Sequence, residues 1–246
     1  MKKLSYLLVF IIALSCNHDK KQNQKSTLNS PSIIVLGTIQ DAGSPHIGCS
    51  KKCCDSLFKN QNFTRKVVSL GIIDPQENKT FLIEATPDIA SQMKQLLSFS
   101  VLNNKKIPNG ILLSHAHIGH YAGLMYLGKE AMNANNARVY AMPKMKQFLE
   151  RNGPWSQLVF NGNISLKEIY NEQKIKLSNN ISVVPILVPH RDEYSETVGF
   201  KIIGPSKKCL FIPDIDKWNK WEKDIVKEIK AVDYAFLDAT FYSGKE

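Results

Sequence analysis

No apolar run in this sequence approaches the roughly 20 residues that a helix needs to cross a bilayer, so no transmembrane span is expected. Histidine is scarce, six residues in 246, and none follows His190. Acidic residues are outnumbered, 22 Asp and Glu against 32 Lys and Arg, which leaves a formal net charge of +10. That imbalance invites a nucleic-acid reading. However, Lys2, Lys3, Lys20, Lys21 and Lys25 face only Asp19 in residues 1–30, and the remaining lysines are scattered rather than gathered into a stripe. Scattered charge serves solubility, so no nucleic-acid partner is expected. Short-period repeats are also missing, which excludes a solenoid. With 43% hydrophobic and 22% charged residues, the chain has the composition of one globular domain carrying a short appendage.

The appendage is N-terminal. Lys2 and Lys3 precede an apolar stretch from Leu4 to Leu14, followed by Ser15, Cys16 and a polar tail. A basic start, a short apolar core and a small residue before the cut make an export signal over residues 1–16. Its Ala13-Leu14-Ser15-Cys16 ending resembles the lipobox of bacterial lipoproteins, with Cys16 as the lipidated residue, although an ordinary cleaved signal is the alternative. Residues 17–30 read as a flexible polar tether. The expected location is the bacterial cell envelope, with the membrane as a partner through the lipid anchor.

Five cysteines remain compatible with export. Cys209 lies in an apolar run and reads as a buried small hydrophobe. Cys49, Cys53 and Cys54 crowd one loop beside His46, where a structural metal site, a disulfide and free thiols all stay open.

From Pro31 onward strand and helix patterns alternate. Strands are expected at 33–36, 67–74, 81–85, 111–114, 138–142, 181–188 (interrupted by Pro185), 197–203, 209–212 and 234–238. Helices are expected at 88–97, 120–133, from Pro143 to Gly153, and 217–230. This alternation excludes a pure helical bundle and a pure sandwich and indicates an α/β chain.

The scarce histidines are concentrated. His115, His117 and His120 fall within the run Ile111 to Leu124, where an apolar strand gives way to a helical pattern. Residues two apart on a strand share a face, so His115 and His117 can reach one ion, while His120 projects from the next turn toward the same ion or a neighbour. Neutral imidazole is a favoured ligand for zinc and similar divalent ions.

Ser114-His-Ala-His-Ile-Gly-His-Tyr-Ala-Gly-Leu124 resembles the H-x-H-x-D-H loop of the metallo-β-lactamase superfamily. Other segments fall into order around it: Pro189-His190 with Thr197-Val-Gly-Phe200, Phe211-Ile-Pro-Asp214, and Phe236-Leu-Asp-Ala-Thr240. Gly37-Thr-Ile-Gln-Asp-Ala-Gly43, the cysteine loop and Glu84-Ala-Thr-Pro-Asp-Ile89 are similar to the coenzyme PQQ synthesis protein B-like branch. The resemblance runs from Ile33 to the C-terminus and implies a four-layer αββα sandwich over residues 31–246. It implies His115, His117 and His190 as ligands of a first metal, Asp214 as a bridging ligand, and His120 as a second-site ligand or proton donor. His120 and Asp214 are thus the catalytic candidates. Zinc is the expected metal, as one or two ions, with iron or manganese as alternatives.

Two departures follow. Gly119 stands where the superfamily has an aspartate, and no histidine is left to supply the last ligand, so the sandwich is expected to lack its C-terminal part. Asp192 and Glu193 are candidates for the missing carboxylate, against a reading as loop surface charges, and Asp88 is a candidate support for the site. The expected activity is metal-assisted hydrolysis of an ester, amide or phosphoester in a small-molecule substrate. The alternatives are an iron-dependent oxidation of the PQQ-biosynthetic type and a non-catalytic metal-binding lipoprotein. Substrate and oligomeric state do not follow from the sequence.

Overall fold

The computed structural model describes residues 28–100, 105–191 and 193–240. The export signal with Cys16, most of the tether, and Asp192 lie outside the described residues. Among those described, no helix is long and apolar enough to cross a membrane.

Six strands build the first sheet in sequence order: β1 (Ser32–Gly37), β2 (Ser69–Asp74), β3 (Lys79–Ile83), β4 (Gly110–Leu112), β5 (Ala137–Ala141) and β6 (Ile164–Glu168). β1 to β3 are antiparallel and β3 to β6 run parallel. The second sheet contains β7 (Ile175–Lys176), β8 (Ser182–Leu187), β9 (Val198–Ile203), β10 (Lys208–Ile212) and β11 (Tyr234–Leu237), in the order β11-β10-β9-β8-β7. The helices are α1 (Lys52–Lys59), α2 (Ile89–Leu97), α3 (Ile118–Tyr121), α4 (Pro143–Arg151), α5 (Trp155–Phe160) and α6 (Ile225–Lys230).

The period-2 geometry of strands sorts the apolar residues into three cores. Leu70, Ile72, Phe81, Ile83 and Leu112 face the second sheet and meet Val183, Phe200, Ile202 and Phe211. Their neighbours Leu82, Ile111 and Leu113 point the other way, onto Leu96, Leu124, Leu149 and Leu158 of the helical layer. On the far side of the second sheet, Ile186, Leu210 and Ile212 pack with Trp218 and Trp221. Strands buried on both faces read as continuous apolar runs, which is why these strands stood out in the sequence. The result is the expected αββα sandwich.

Two expected helices are broken. The segment expected as helix 120–133 is the short α3 followed by a 3-10 helix, Ala122–Leu127. Gly123 donates its N–H to Ala85 O at 2.8 Å, and a Cβ there would lie 2.1 Å from Thr86 O. This close docking on residues 85–86 replaces a regular helix. Residues 217–230 split into a 3-10 turn, Trp218–Lys220, and α6, because Asp224 caps α6 by accepting from Val226 N and Lys227 N. Pro185 does not interrupt β8. β7 pairs only with Ser182 and Val183, so the missing N–H of Pro185 falls where no strand pairs with β8 on that side and only Glu172 N donates, to Pro185 O at 2.8 Å. α1, α5, β6 and β7 were not apparent in the sequence because they are short and mostly half-exposed.

Phe200 is fully buried between the sheets. Phe200→Ala is expected to lower the unfolding free energy by about 3–5 kcal/mol in denaturant titrations. A loss below about 1 kcal/mol would contradict a close-packed inter-sheet core.

Candidate metal centre

The histidines cluster at one edge of the sandwich because each follows the end of a strand that points there. β4 leads into Ser114 and His115, and His117 immediately precedes α3, which carries His120. β8 leads to His190 and β10 to Asp214. These loops are tied to one another. Ala116 N donates to the buried Ser195 Oγ at 2.7 Å, Val198 N to Ser114 O at 3.2 Å, and Asp216 N to Pro189 O at 2.8 Å. Glu196, beside Ser195, accepts from the α4 N-terminal amides of Lys144 and Met145.

Four donors converge. His115 Nε2 and His190 Nε2 lie 2.9 and 3.0 Å from His117 Nδ1, and 3.5 and 3.4 Å from Asp214 Oδ2. Hydrogen bonding among themselves cannot explain this. Asp216 Oδ1 accepts from His190 Nδ1 at 3.1 Å, which leaves Nε2 of a neutral His190 with a lone pair, and His117 Nδ1 can donate to one neighbour at most. Ser114 Oγ occupies His115 Nδ1 at 2.8 Å, turning Nε2 inward. Four of the six spacings, at 2.9–3.5 Å, suit the edges of a tetrahedron of donors about 2.0–2.1 Å from a divalent ion, and all six lie within 4.8 Å. Three imidazoles and a carboxylate therefore fit a metal ion by donor type and by spacing.

Burial and mutual proximity set the charge states. Burial, reinforced by His120 and His117 and opposed by Asp214, pushes His115 down to about 3, the state a ligand requires. His117 is lowered, first by burial and then by His190 and Arg191. Burial would raise Asp214, but the imidazoles of His115, His120 and His190 outweigh it and hold the carboxylate ionised. Burial also opposes the charge on His190, while Asp214 and Asp216 raise it.

His120 stands apart from this set. It is fully buried, with Nε2 3.4 Å from Asp214 Oδ1 and Nδ1 3.5 Å from Glu84 Oε2, and neither nitrogen has a hydrogen-bond partner. Burial disfavours its charge, yet Asp214 and Glu84 prevail and raise it to about 10. Glu84 is fully buried as well, its pKa is raised by desolvation, and it takes a left-handed φ of 73°. Such strain in a non-glycine residue is held in place by its surroundings. Here Glu84 N donates to Leu112 O and Ala85 N to His120 O, both at 2.9 Å.

Of the remaining candidates, Glu193 Oε2 comes to 3.5 Å from His117 Nε2, although it is half-exposed. Asp88 does not support the site: its carboxylate accepts from Val67 N at 2.8 Å, joining the start of α2 to the segment that leads into β2. The thiols of Cys49, Cys53 and Cys54 lie within 4.8 Å of one another as free cysteines, and Cys54 holds the Cys49 thiol below its ordinary value. Sequence reasoning missed Ser114, Glu84 and Asp216. Asp216, two residues beyond Asp214, was the most accessible of the three, since ligating imidazoles usually donate their other N–H to a carboxylate.

A fold of this class with a histidine-rich centre at one sandwich edge defines a metal-binding protein of the metallo-β-lactamase type. The sequence matches the family model of the Beta-lactamase superfamily domain over residues 79–246, and the chain belongs to that family. Among solved structures it is similar to Zn(2+)-bound PqqB from Methylobacterium extorquens, at 20% identity and TM-score 0.68, covering 84% of this chain and 72% of that one. It is also similar to a diphosphatase from the PhnP family (20%, TM-score 0.53, 74% and 64%). A third is the metallo-beta-lactamase fold protein YhfI from Bacillus subtilis (13%, TM-score 0.52, 78% and 65%). The chain spans just under two thirds of the latter two, and at these identities the likeness is one of fold. No curated protein matches the sequence.

The structure also explains Gly119. A Cβ at this position would lie 2.4 Å from Asp41 O and 2.5 Å from Asp41 Cβ, so the loop after β1 fills the space an aspartate side chain would need. Gly119→Asp therefore does not restore a missing ligand. It is expected to destabilise the metal-free protein by about 1–3 kcal/mol in thermal unfolding, and unchanged stability would contradict this close approach.

Proposed function

We propose that this protein is a metal-dependent hydrolase in which His115, His117, His190 and Asp214 hold a divalent ion, zinc by preference, at the sandwich edge. The carrying observation is a cluster in which His115 and His190 lie 2.9 and 3.0 Å from His117 and 3.5 and 3.4 Å from one oxygen of Asp214, all four donors falling within 4.8 Å of one another. With these four donors engaged, the ion would take up a water by expanding to five-coordination, and it would lower the pKa of that water from about 15.7 toward 7. The chain supplies the rest. Asp214 would hold the ion through Oδ2, and its Oδ1 faces His120 Nε2 at 3.4 Å, where His120 can hold a proton or a second ion. Ser114 and Asp216 fix the ring orientations of His115 and His190. A cavity of about 840 Å³, walled by Leu70, Phe211 and Phe236 and reaching His190 and Asp214, has room for a small ester, amide or phosphoester, and Arg191 at its lining suits an anionic group.

His115→Ala is expected to reduce metal affinity by at least the 10–100-fold that follows loss of a supporting group, and to abolish hydrolysis of a lactam, thioester and phosphodiester panel. Full metal retention by this variant would overturn the ligand set. A second reading, iron-dependent oxidation, draws on the same donors, since imidazole and carboxylate also suit iron. Stoichiometric iron in protein purified without added zinc, together with oxygen uptake, would favour it over hydrolysis.

Two further parts complete the proposal. Export and lipidation at Cys16 would tether the domain to a membrane of the cell envelope. Cys49, Cys53 and Cys54 would hold a structural metal, supported by their mutual approach within 4.8 Å. Burial pushes the Cys209 thiol up to about 12, so alkylation of the native metal-free protein near pH 8 should modify the three loop thiols and spare Cys209. Added zinc should protect the three, and equal labelling with and without zinc would contradict a thiolate site.

A further inference from the structure

We propose that Asp41, in the loop after β1, supplies the carboxylate that position 119 lacks and, with His120 and Asp214, holds a second divalent ion beside the first. The inference rests on the metal-site reading above and extends it to residues outside the histidine loop.

Three observations carry it. First, the exclusion at Gly119 is made by Asp41 itself: its Cβ lies 2.5 Å from where a side chain at 119 would begin, so the Asp41 side chain starts from nearly the same point. Second, His120 is fully buried and its Nε2 has no hydrogen-bond partner while facing Asp214 Oδ1 at 3.4 Å. The other oxygen of Asp214 faces His115 and His190, so this one side chain spans two sets of donors. Both nitrogens of His120 meet carboxylates only as ion-pair contacts of 3.4 and 3.5 Å and not as hydrogen bonds, which leaves them short of the satisfaction that buried polar groups normally have. Third, the acids lining the adjoining cavity differ in how they are occupied. Asp216 binds His190, and Asp238 accepts from Ile215 N at 3.2 Å and Thr240 N at 2.8 Å. Asp41, half-buried in the same cavity, makes no hydrogen bond or ion pair with any described residue. A half-buried carboxylate without a partner is a natural cation ligand.

The loop is also held in place. Gly43 N donates to Gln40 O and Ala42 N to Gln40 Oε1, both at 3.0 Å, which closes a turn around Asp41. Upstream, Thr38 N and Ile39 N donate to Lys66 O at 3.1 and 3.0 Å. A carboxylate on such a turn is pre-positioned, which favours a ligand role over a solvated surface charge.

The test is zinc titration by calorimetry, with metal content measured after gel filtration, on the full chain stripped by a chelator. Asp41→Asn and Asp41→Ala are expected to bind one ion fewer per chain than the parent. His120→Asn should lose the same ion, and the Asp41→Asn/His120→Asn double variant no more than either alone, as for groups sharing one site. Thermal unfolding of each metal-free variant checks its fold, and at least one Asp41 variant should match the parent. His115→Ala separates the two readings. If it retains every ion of the parent, the first site is wrong. If it loses metal while both Asp41 variants keep the parent's ion count and affinity within about threefold, the role of Asp41 is overturned and the first site stands.

Discussion

Three imidazole nitrogens and a carboxylate oxygen crowd within 4.8 Å of one another, with four of their contacts at 2.9–3.5 Å, and the rest of the site is built around that confrontation. Lone pairs so arranged repel unless a positive charge sits among them, and burial raises the cost by removing water. His115 shows the consequence: at 1% exposure its ring cannot take up a proton near neutrality to relieve the strain. A metal ion relieves it for all four groups together. The surrounding contacts hold the donors in the arrangement the ion needs, with Ser114 behind His115 and Asp216 behind His190.

The sandwich makes the arrangement possible at low conformational cost. Each donor follows a strand buried on both faces, so its backbone is fixed by cores on either side before the loop begins. The loops are then joined across the two sheets. Ser195, in the loop between β8 and β9, accepts from Ala116 in the histidine loop after β4, and Val198 at the start of β9 donates to Ser114. A site assembled from strand ends and cross-linked loops holds its geometry better than one carried on a single loop. Glu84 fits the same logic: a buried carboxylate at a strained φ is tolerated where it faces the imidazole of His120.

Much of this was legible in the sequence. Doubly buried strands announce themselves as apolar runs, and three histidines in one short segment exceed what packing requires, so the α/β class and the histidine cluster could be read from the residues, while the αββα sandwich, His190 and Asp214 came with the resemblance to the metallo-β-lactamase superfamily. What escaped depends on contacts across long sequence separations. Asp88 binds Val67 rather than the site, and nothing local to Gly119 reveals that Asp41, 78 positions earlier, fills the space above it. The two broken helices escaped for a related reason. Their apolar spacing is helical, but docking of Gly123 on residues 85–86 and capping by Asp224 override it.

The central claim is that the four converging donors bind an ion in the chain as it exists. Anomalous diffraction from crystals of the full chain, recorded above and below the zinc edge, tests it most directly. The account predicts an edge-dependent peak bounded by His115 Nε2, His117 Nδ1, His190 Nε2 and Asp214 Oδ2. Zinc-equilibrated crystals with no anomalous density among those atoms would contradict it.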